Sequence, residues 1–399
     1  MPPDPSPATA PPATDHLDVL DGLRGVAILW VLAFHVWQLS WLPQQLTIAG
    51  WTCQFTHLTE TGFSGVELFF FISGFCLLWP FVRALRQGTP APSWRHYASR
   101  RAIKILPSYW LSIVLMLLIA RPAWLSDPAQ ALWNLTAHAF FFQNISPQAE
   151  TAVNGVLWSL GVEVQFYLIF PLLAWAFVRR PAWTWVGLCG AAIAWRHGVQ
   201  TWAHPHFHWL MQQLPAYLDL FATGMLGAWL QGRRAPSAPA GLLARGLATA
   251  IALGALWAVH SYALGLWQVR HDGGDWPNGY QVAHRWHLAL AFLLLTLASM
   301  RAWPFWQRLF TWRPLLWLSV ISYNLYLWHQ FVGRQFMYVW KWPVPATSDP
   351  HHDPVWQLSF TIVTIAASLA VAAAITYGFE RPLLRGGWAA LRDQWRRPR

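Results

Sequence analysis

Ten stretches of the chain are apolar almost without interruption, and each approaches the roughly 20 residues that a helix needs to cross a ~30 Å hydrocarbon layer. They fall near 19–39, 65–82, 103–120, 156–178, 181–196, 210–230, 243–266, 283–300, 314–338 and 356–379, the fifth and eighth being short. An eleventh apolar run, Leu132–Phe142, is too short to span and reads as re-entrant or interfacial. No period-2 alternation predicts strands, and no soluble domain or internal repeat stands out. The pattern predicts an all-α fold: a polytopic membrane helix bundle of about ten transmembrane helices.

Charge then orients the bundle. Lys and Arg favour cytoplasmic loops. With ten spans and the N-terminus inside, 21 of the 27 Lys and Arg fall on the cytosolic side. Counting 132–142 as a full span would invert every later loop and spoil that bias. Both termini are therefore expected in the cytosol. Residues 1–16 form a Pro- and Ala-rich tail, read as disordered, without the basic start and small-residue cleavage site of a signal peptide. Residues 17–380 form the membrane domain, and 381–399 a basic tail.

Composition supports lipid as the solvent. Hydrophobic residues make up 55% of the chain and charged residues 11%, against about 25% charged in soluble domains. The 31 Trp suit the membrane–water boundary. The net charge of +11 sits in short clusters between apolar runs, as in loops facing anionic lipid. No basic stripe with stacking aromatics stands out, so nucleic acid is not an expected partner. Cys53, Cys76 and Cys189 are odd in number and far apart, which supports neither a disulfide framework nor a zinc site.

Ionisable groups inside apolar runs are expensive and are candidates for function, the alternative being a structural polar contact. In LDGLRGVAILWVLAFHVW, Arg24 and His35 lie 11 residues apart, about three turns on one helix face. A cation near the cytosolic edge with an imidazole deeper in suits a long ligand that is anionic at one end, and a neutral imidazole can accept a proton. Glu67 lies in GVELFFFISGFCLL and Glu163 in LWSLGVEVQFYLIFP. Either could orient a histidine, pair with an arginine or cap a helix contact. Ser159, Glu163 and Tyr167 share a face, as do Ser322, Tyr326 and His329 of SYNLYLWH. Arg95, Arg100, Arg101 and Lys104 form a basic collar. It reads either as ordinary positive-inside charge or as a phosphate clamp. His204, His206 and His208 would converge on a metal only from a strand-like backbone, and the polar-loop reading is preferred for them and for His351, His352 and Asp353.

Together these segments resemble the acyltransferase-3 family of bacterial membrane acyltransferases. LDGLRGVAILWVLAFH is similar to its opening motif, and GVELFFFISGF, RRAIKILPSYW, LWSLGVEVQFYLIFP, SYNLYLWH and YGFERP follow in the family's order. The resemblance covers essentially all of the chain after the tail. It implies a ten-span enzyme of the bacterial cytoplasmic (inner) membrane. Such an enzyme moves an acyl group, by default acetyl, from cytosolic acyl-CoA to a hydroxyl of an envelope polysaccharide, peptidoglycan or a small molecule, with no metal cofactor. Carried over, His35 is the essential histidine and Arg24 its motif partner. Arg101 holds the first position of an Arg-x-x-Arg pattern whose second is Lys104 here, which keeps the charge but loses the fork geometry. Arg100, Arg101 and Lys104 would bind the donor. Glu163 or Glu67 would orient His35 or counter Arg24, and Ser322, Tyr323 and Tyr326 would stabilise an oxyanion. The chain ends about 20 residues after its last span and reads as the form without a C-terminal hydrolase-like domain. The competing reading is a secondary transporter with intramembrane His, Arg and Glu, which would often show symmetry between halves.

Overall fold

The computed structural model describes residues 17–48, 50–203, 206–233, 241–272, 278–346 and 349–387. The expected tail 1–16, the tail beyond 387 and His204 lie outside them. The helices are α1 (Asp18–Ser40), α2 (Thr56–Glu60), α3 (Ser64–Gln87), α4 (Trp94–Ala120), α5 (Pro128–Ala139), α6 (Trp158–Arg179) and α7 (Pro181–Trp202). There follow α8 (Phe207–Met211), α9 (Leu218–Gly232), α10 (Leu242–His271), α11 (Asn278–Ser299), α12 (Pro304–Phe310), α13 (Arg313–Arg334) and α14 (Pro354–Ile375). Two of these continue into π-helical turns, Gln335–Trp340 after α13 and Thr376–Glu380 after α14.

Nine of the ten predicted spans coincide with one helix of at least 22 residues, while the sixth, 210–230, is divided among α8, a 3₁₀ turn and α9; the chain is a polytopic membrane helix bundle. Among the described residues, seven helices, α1, α3, α4, α6, α10, α11 and α14, are long and apolar enough to cross a membrane. The remaining three, α7, α9 and α13, fall short for a physical reason: they supply polar or compact interior surface. The 15-residue α9 carries buried Asp219 and Thr223. Ser319, Ser322, Asn324 and His329 are buried on α13, and Arg196 is buried on α7. These helices pack against α3, α1 and α9 respectively. The terminal helical segment runs to Gly387, past the expected boundary at 380.

One expectation is corrected. A two-stranded antiparallel hairpin, β1 (Gln45–Ile48) with β2 (Trp51–Gln54), follows α1. Its β-branched and aromatic residues suit extended backbone, and Gly50 takes the φ of +85° that a tight turn requires. The short run near 132–142 forms α5, 12 residues long, with Asp127 accepting from the amides of Ala129 and Gln130 at its N-terminus. It leaves Leu132 and Phe140 exposed, and it is too short to span.

Glycines let the central helices touch. A Cβ on Gly74 of α3 would lie 2.1 Å from the Phe221 carbonyl oxygen of α9, and one on Gly224 of α9 would lie 2.0 Å from that of Phe71. In the first motif, Gly22 and Gly25 meet the carbonyls of Phe310 and Leu315 in the same way, and Gly65 of α3 meets that of Ala27. The motif glycines are therefore packing residues that seat α1 between α3 and α13.

Gly74→Val is expected to cost at least the roughly 1–3 kcal/mol typical of overpacking, and to cut the yield of monodisperse protein in detergent. Gly254→Ala, at a site open to at least 4 Å, serves as the control; equal behaviour of the two variants would refute the contact. In the loop before α6, burial pushes the Glu150 carboxyl from its ordinary 4.5 up to about 7. A raised folded-state pKa means that its stabilising contribution is full below about pH 4.5 and is lost as pH rises through about 7. Glu150→Gln should therefore flatten the fall in thermal midpoint between pH 5 and 8. An unchanged slope would show that Glu150 is not its source.

Candidate active site

The site begins with two histidines on facing helices. His35 Nδ1 lies 3.0 Å from the Val31 carbonyl one turn back on α1. His329 Nδ1 of α13 lies 2.9 Å from the Leu325 carbonyl. A carbonyl only accepts, so both Nδ1 atoms carry the proton of a neutral ring. His329 Nε2 then has a lone pair, and it lies 3.0 Å from His35 Nδ1. The His35 N–H is thus shared between Val31 and His329, which leaves His35 Nε2 unprotonated with no hydrogen-bond partner among the described residues. His329 is the residue that orients His35. Phe34 packs edge-on against the His35 ring at 4.9 Å.

The two glutamates expected to orient His35 are engaged elsewhere. Glu67 Oε1 accepts from Arg285 Nε of α11 at 2.7 Å. Glu163 accepts from Ser73 at 2.6 Å and from Tyr167. The hydroxyls proposed for an oxyanion hole are also committed. Ser322 donates to the Ser319 carbonyl at 2.8 Å, and Tyr323 donates to that of Ile105 at 2.9 Å. Tyr326 lies 2.6 Å from Ser159, and both hydroxyls reach the Val156 carbonyl at 3.1 Å. Each would have to exchange its partner to serve a ligand.

The basic residues gather at the opposite end of the central helices. Arg24 pairs with Asp21 at 2.6 Å and donates to Cys76 Sγ at 3.7 Å. Lys104 pairs with Glu380, which also accepts from Asn324 at 2.6 Å. Arg101 stands 5.8 Å from the centre of the Tyr167 ring, and its Nε is buried without a partner. Such an orphaned charged donor fits an anionic ligand group.

Three cavities run in series from this end to His35. The first is bordered by Asp21, Arg24, Arg100 and Arg101. The second, of about 230 Å³, is bordered by Arg24, Arg101, Lys104, Glu163, Ser322 and Tyr326. The third holds His35, with Glu67, Tyr217, Arg285 and again Tyr326. Arg24, Cys76 and Arg101 are common to the first two, and Val66 and Tyr326 to the last two. The candidates thus fall into two groups that meet at Tyr326. Arg24 and His35, neighbours in the motif, face different cavities.

Sequence reading missed the buried ion pairs. Arg285 bonds Glu67, the Ala216 carbonyl at 3.3 Å and Gln281 at 2.5 Å. Arg196 lies 2.8 Å from Asp219 and donates to the same carbonyl at 2.9 Å. The signal was present, since four charged residues within apolar runs need partners. No spacing rule links helices so far apart in sequence. Among the described residues, no group of three His, Cys, Asp or Glu side chains is placed to hold a metal. His208 instead borders the His35 cavity.

Comparison with known proteins bears on the family of the chain. "Acyltransferase MdmB" of Streptomyces mycarofaciens is 30% identical over 194 residues, 46% of this chain and 46% of that protein. "Peptidoglycan O-acetyltransferase OatA" of Listeria monocytogenes is 22% identical over 390 residues, 94% of this chain and 56% of that protein. "O-acetyltransferase OatA" of Staphylococcus aureus is 27% identical over 174 residues, 41% of this chain and 26% of that protein. The chain spans about half the length, or less, of these relatives. No solved structure matches it. The family model described as "Acyltransferase domain" matches residues 17–377, so the chain belongs to the acyltransferase-3 family.

Proposed function

We propose that the chain transfers an acyl group, acetyl by default, from acyl-CoA at the basic end to a hydroxyl acceptor that enters the cavity of His35. The observation that carries this reading is the meeting of two unlike cavities at Tyr326, one with Arg24, Arg101 and Lys104 and the other with His35. A donor with phosphates at one end and a thioester on a thin arm needs cations at an entrance and a narrow path to the reacting centre. The charge bias of the loops supports a cytosolic basic end with both termini in the cytosol, and the resemblance supports a bacterial cytoplasmic membrane. The names of the Listeria and Staphylococcus relatives support an O-acetyl transfer, and that of the Listeria relative supports an envelope glycan acceptor.

In this reading Arg100, Arg101 and Arg24 hold donor phosphates, and Lys104 exchanges Glu380 for one of them. His35 Nε2 takes the proton of the acceptor hydroxyl as its oxygen bonds to the thioester carbonyl carbon. The tetrahedral intermediate collapses with cleavage of the C–S bond. The leaving thiolate takes the proton from the His35 imidazolium, giving ester and CoA thiol. His329 is a positioning residue, because its lone pair fixes the tautomer that leaves His35 Nε2 basic. Tyr326 and Ser322 would turn from their carbonyls toward the oxyanion, and Glu163 holds the wall of the donor cavity through Ser73 and Tyr167.

His35→Gln is expected to lower acceptor-dependent CoA release from acetyl-CoA by about 10²–10⁴-fold, the usual worth of a general base. Equal release by both proteins would make His35 structural. Arg101→Ala is expected to raise KM for acetyl-CoA roughly 10–100-fold, from the loss of about 1.5–3 kcal/mol in a charged hydrogen bond, with kcat little changed. An unchanged donor KM would remove Arg101 from the donor site.

A further inference from the structure

Away from both halves of the acyl-transfer site, helices α7, α9 and α11 border a further cavity of about 310 Å³. Trp185, Cys189, Gly190 and Ile193 come from α7, and Trp286 and Leu290 from α11. The two polar residues that α9 adds are already engaged. Asp219 is paired with Arg196 at 2.8 Å, and Thr223 accepts from Trp185 Nε1 at 3.1 Å. The rest is apolar, since a free thiol behaves as a small hydrophobe, and the matching occupant is hydrocarbon. Val186 and Trp286 also border the cavity, and they are 52% and 38% exposed. In a membrane bundle such side chains face lipid, so the cavity opens sideways into the bilayer.

Charge at one end of the same three helices selects the kind of lipid. Trp185 of α7 meets Thr223 of α9, while Arg196, further along α7, meets Asp219, earlier in α9, so these helices are antiparallel. Arg285 of α11 reaches the Ala216 carbonyl before α9, and Leu293 lies against Gly227, so α11 runs in the direction of α9. Arg180 at the start of α7, Arg233 after α9 and Arg301 after α11 therefore stand at one end, and all three are exposed. The chain there, 174–190, 224–249 and 293–320, holds eight Arg and no Asp or Glu. At 1.5 Å per residue, Trp185 and Ile193 lie roughly 8 and 20 Å deeper than Arg180. An acyl chain runs through that depth when the phosphate of its lipid sits level with the arginines.

We propose that this cavity holds one acyl chain of an anionic phospholipid, drawn from the leaflet at the arginine end, and that Arg180 and Arg233 hold its phosphate. The chain then lies against the helices that carry Arg196, Asp219 and Arg285, and the lipid becomes part of their packing. The site does not depend on the acyl-transfer reading.

The test uses the full chain in phosphatidylcholine nanodiscs with a trace of phosphatidylglycerol or phosphatidylcholine that carries a diazirine midway along one acyl chain. Photo-cross-links are mapped by peptide mass spectrometry. The phosphatidylglycerol probe is expected to label 185–193 and 286–290 about 5–30-fold more than its neutral counterpart, the worth of one or two arginines beside an anionic headgroup. The exposed face of α10 at 251–257 should take both probes alike. Arg180→Gln together with Arg233→Gln should bring the two probes to equal labelling of the cavity. Gly190→Leu is expected to cut labelling at 185–193 about tenfold, because Gly190 borders the cavity and an added Cβ there meets nothing within 4 Å. Gly187→Leu, equally open on the same helix but outside the cavity lining, should leave it unchanged; both substitutions favour the helix. Equal labelling of the unaltered protein by the two probes would mean a neutral-lipid surface and overturn the proposal. Labelling that responds alike to both glycine variants would place the chain outside the cavity and overturn it as well. So would exclusion of both probes from 185–193 and 286–290 by a second copy of the chain.

Discussion

The distance between helices α1 and α13 governs everything else in this protein. Gly25 brings the backbone of α1 onto the carbonyl of Leu315 in α13, as Gly22 does onto that of Phe310 at the end of α12, and His35 Nδ1 then lies 3.0 Å from His329 Nε2. The hydrogen bond is too short-ranged to tolerate a side chain at those glycines. It reinforces the tautomer of His35 that the Val31 carbonyl already selects, and from the tautomer follows the free lone pair. Gly65 and Gly74 fix α3 against α1 and α9 with the same economy of space. Close packing of small residues is the usual means of association where lipid supplies no hydrophobic drive between helices.

The two buried arginines complete the frame. Arg196 and Arg285 both donate to the carbonyl of Ala216, in the 3₁₀ turn Leu214–Tyr217 that precedes α9. A turn of that kind within a bundle leaves main-chain oxygens that helical bonds do not satisfy, and neighbouring groups must answer them. Asp219 and Glu67 supply the counter-charges. Replacing one partner of such a pair leaves a buried charge uncompensated, so the network ties α3, α7, α9 and α11 to one arrangement around the His35 cavity.

The spans were legible because about 20 apolar residues have little alternative in a membrane protein, and nine of the ten fall on single helices of at least 22 residues. The hairpin at 45–54 was not, because four-residue strands give too short an alternation to stand out. Arg24, His35 and the basic collar were legible as chemistry, since charge in an apolar run demands an explanation. Their partners were not: Glu380 reaches Lys104 from 276 residues away, and Glu67 reaches Arg285 across 218. The roles expected of Glu163 and Glu67 toward His35 came from sequence alone, and the structure gives the orienting bond to His329, which was visible only as one member of a polar face. Periodicity says which residues share a helix face, but which helix lies opposite is decided by packing.

The junction at Tyr326 has a consequence for the membrane itself. Cavities that lead from opposite ends of a bundle and met as open water would form a conducting path for protons and small ions. Here both cavities are bordered by Tyr326, whose hydroxyl is tied to Ser159 and to the Val156 carbonyl, and by Val66. In the proposed orientation and reaction, the side chain that borders both cavities would also insulate the bilayer. Chemistry can then draw one reactant from each side while the electrical seal of the cell holds.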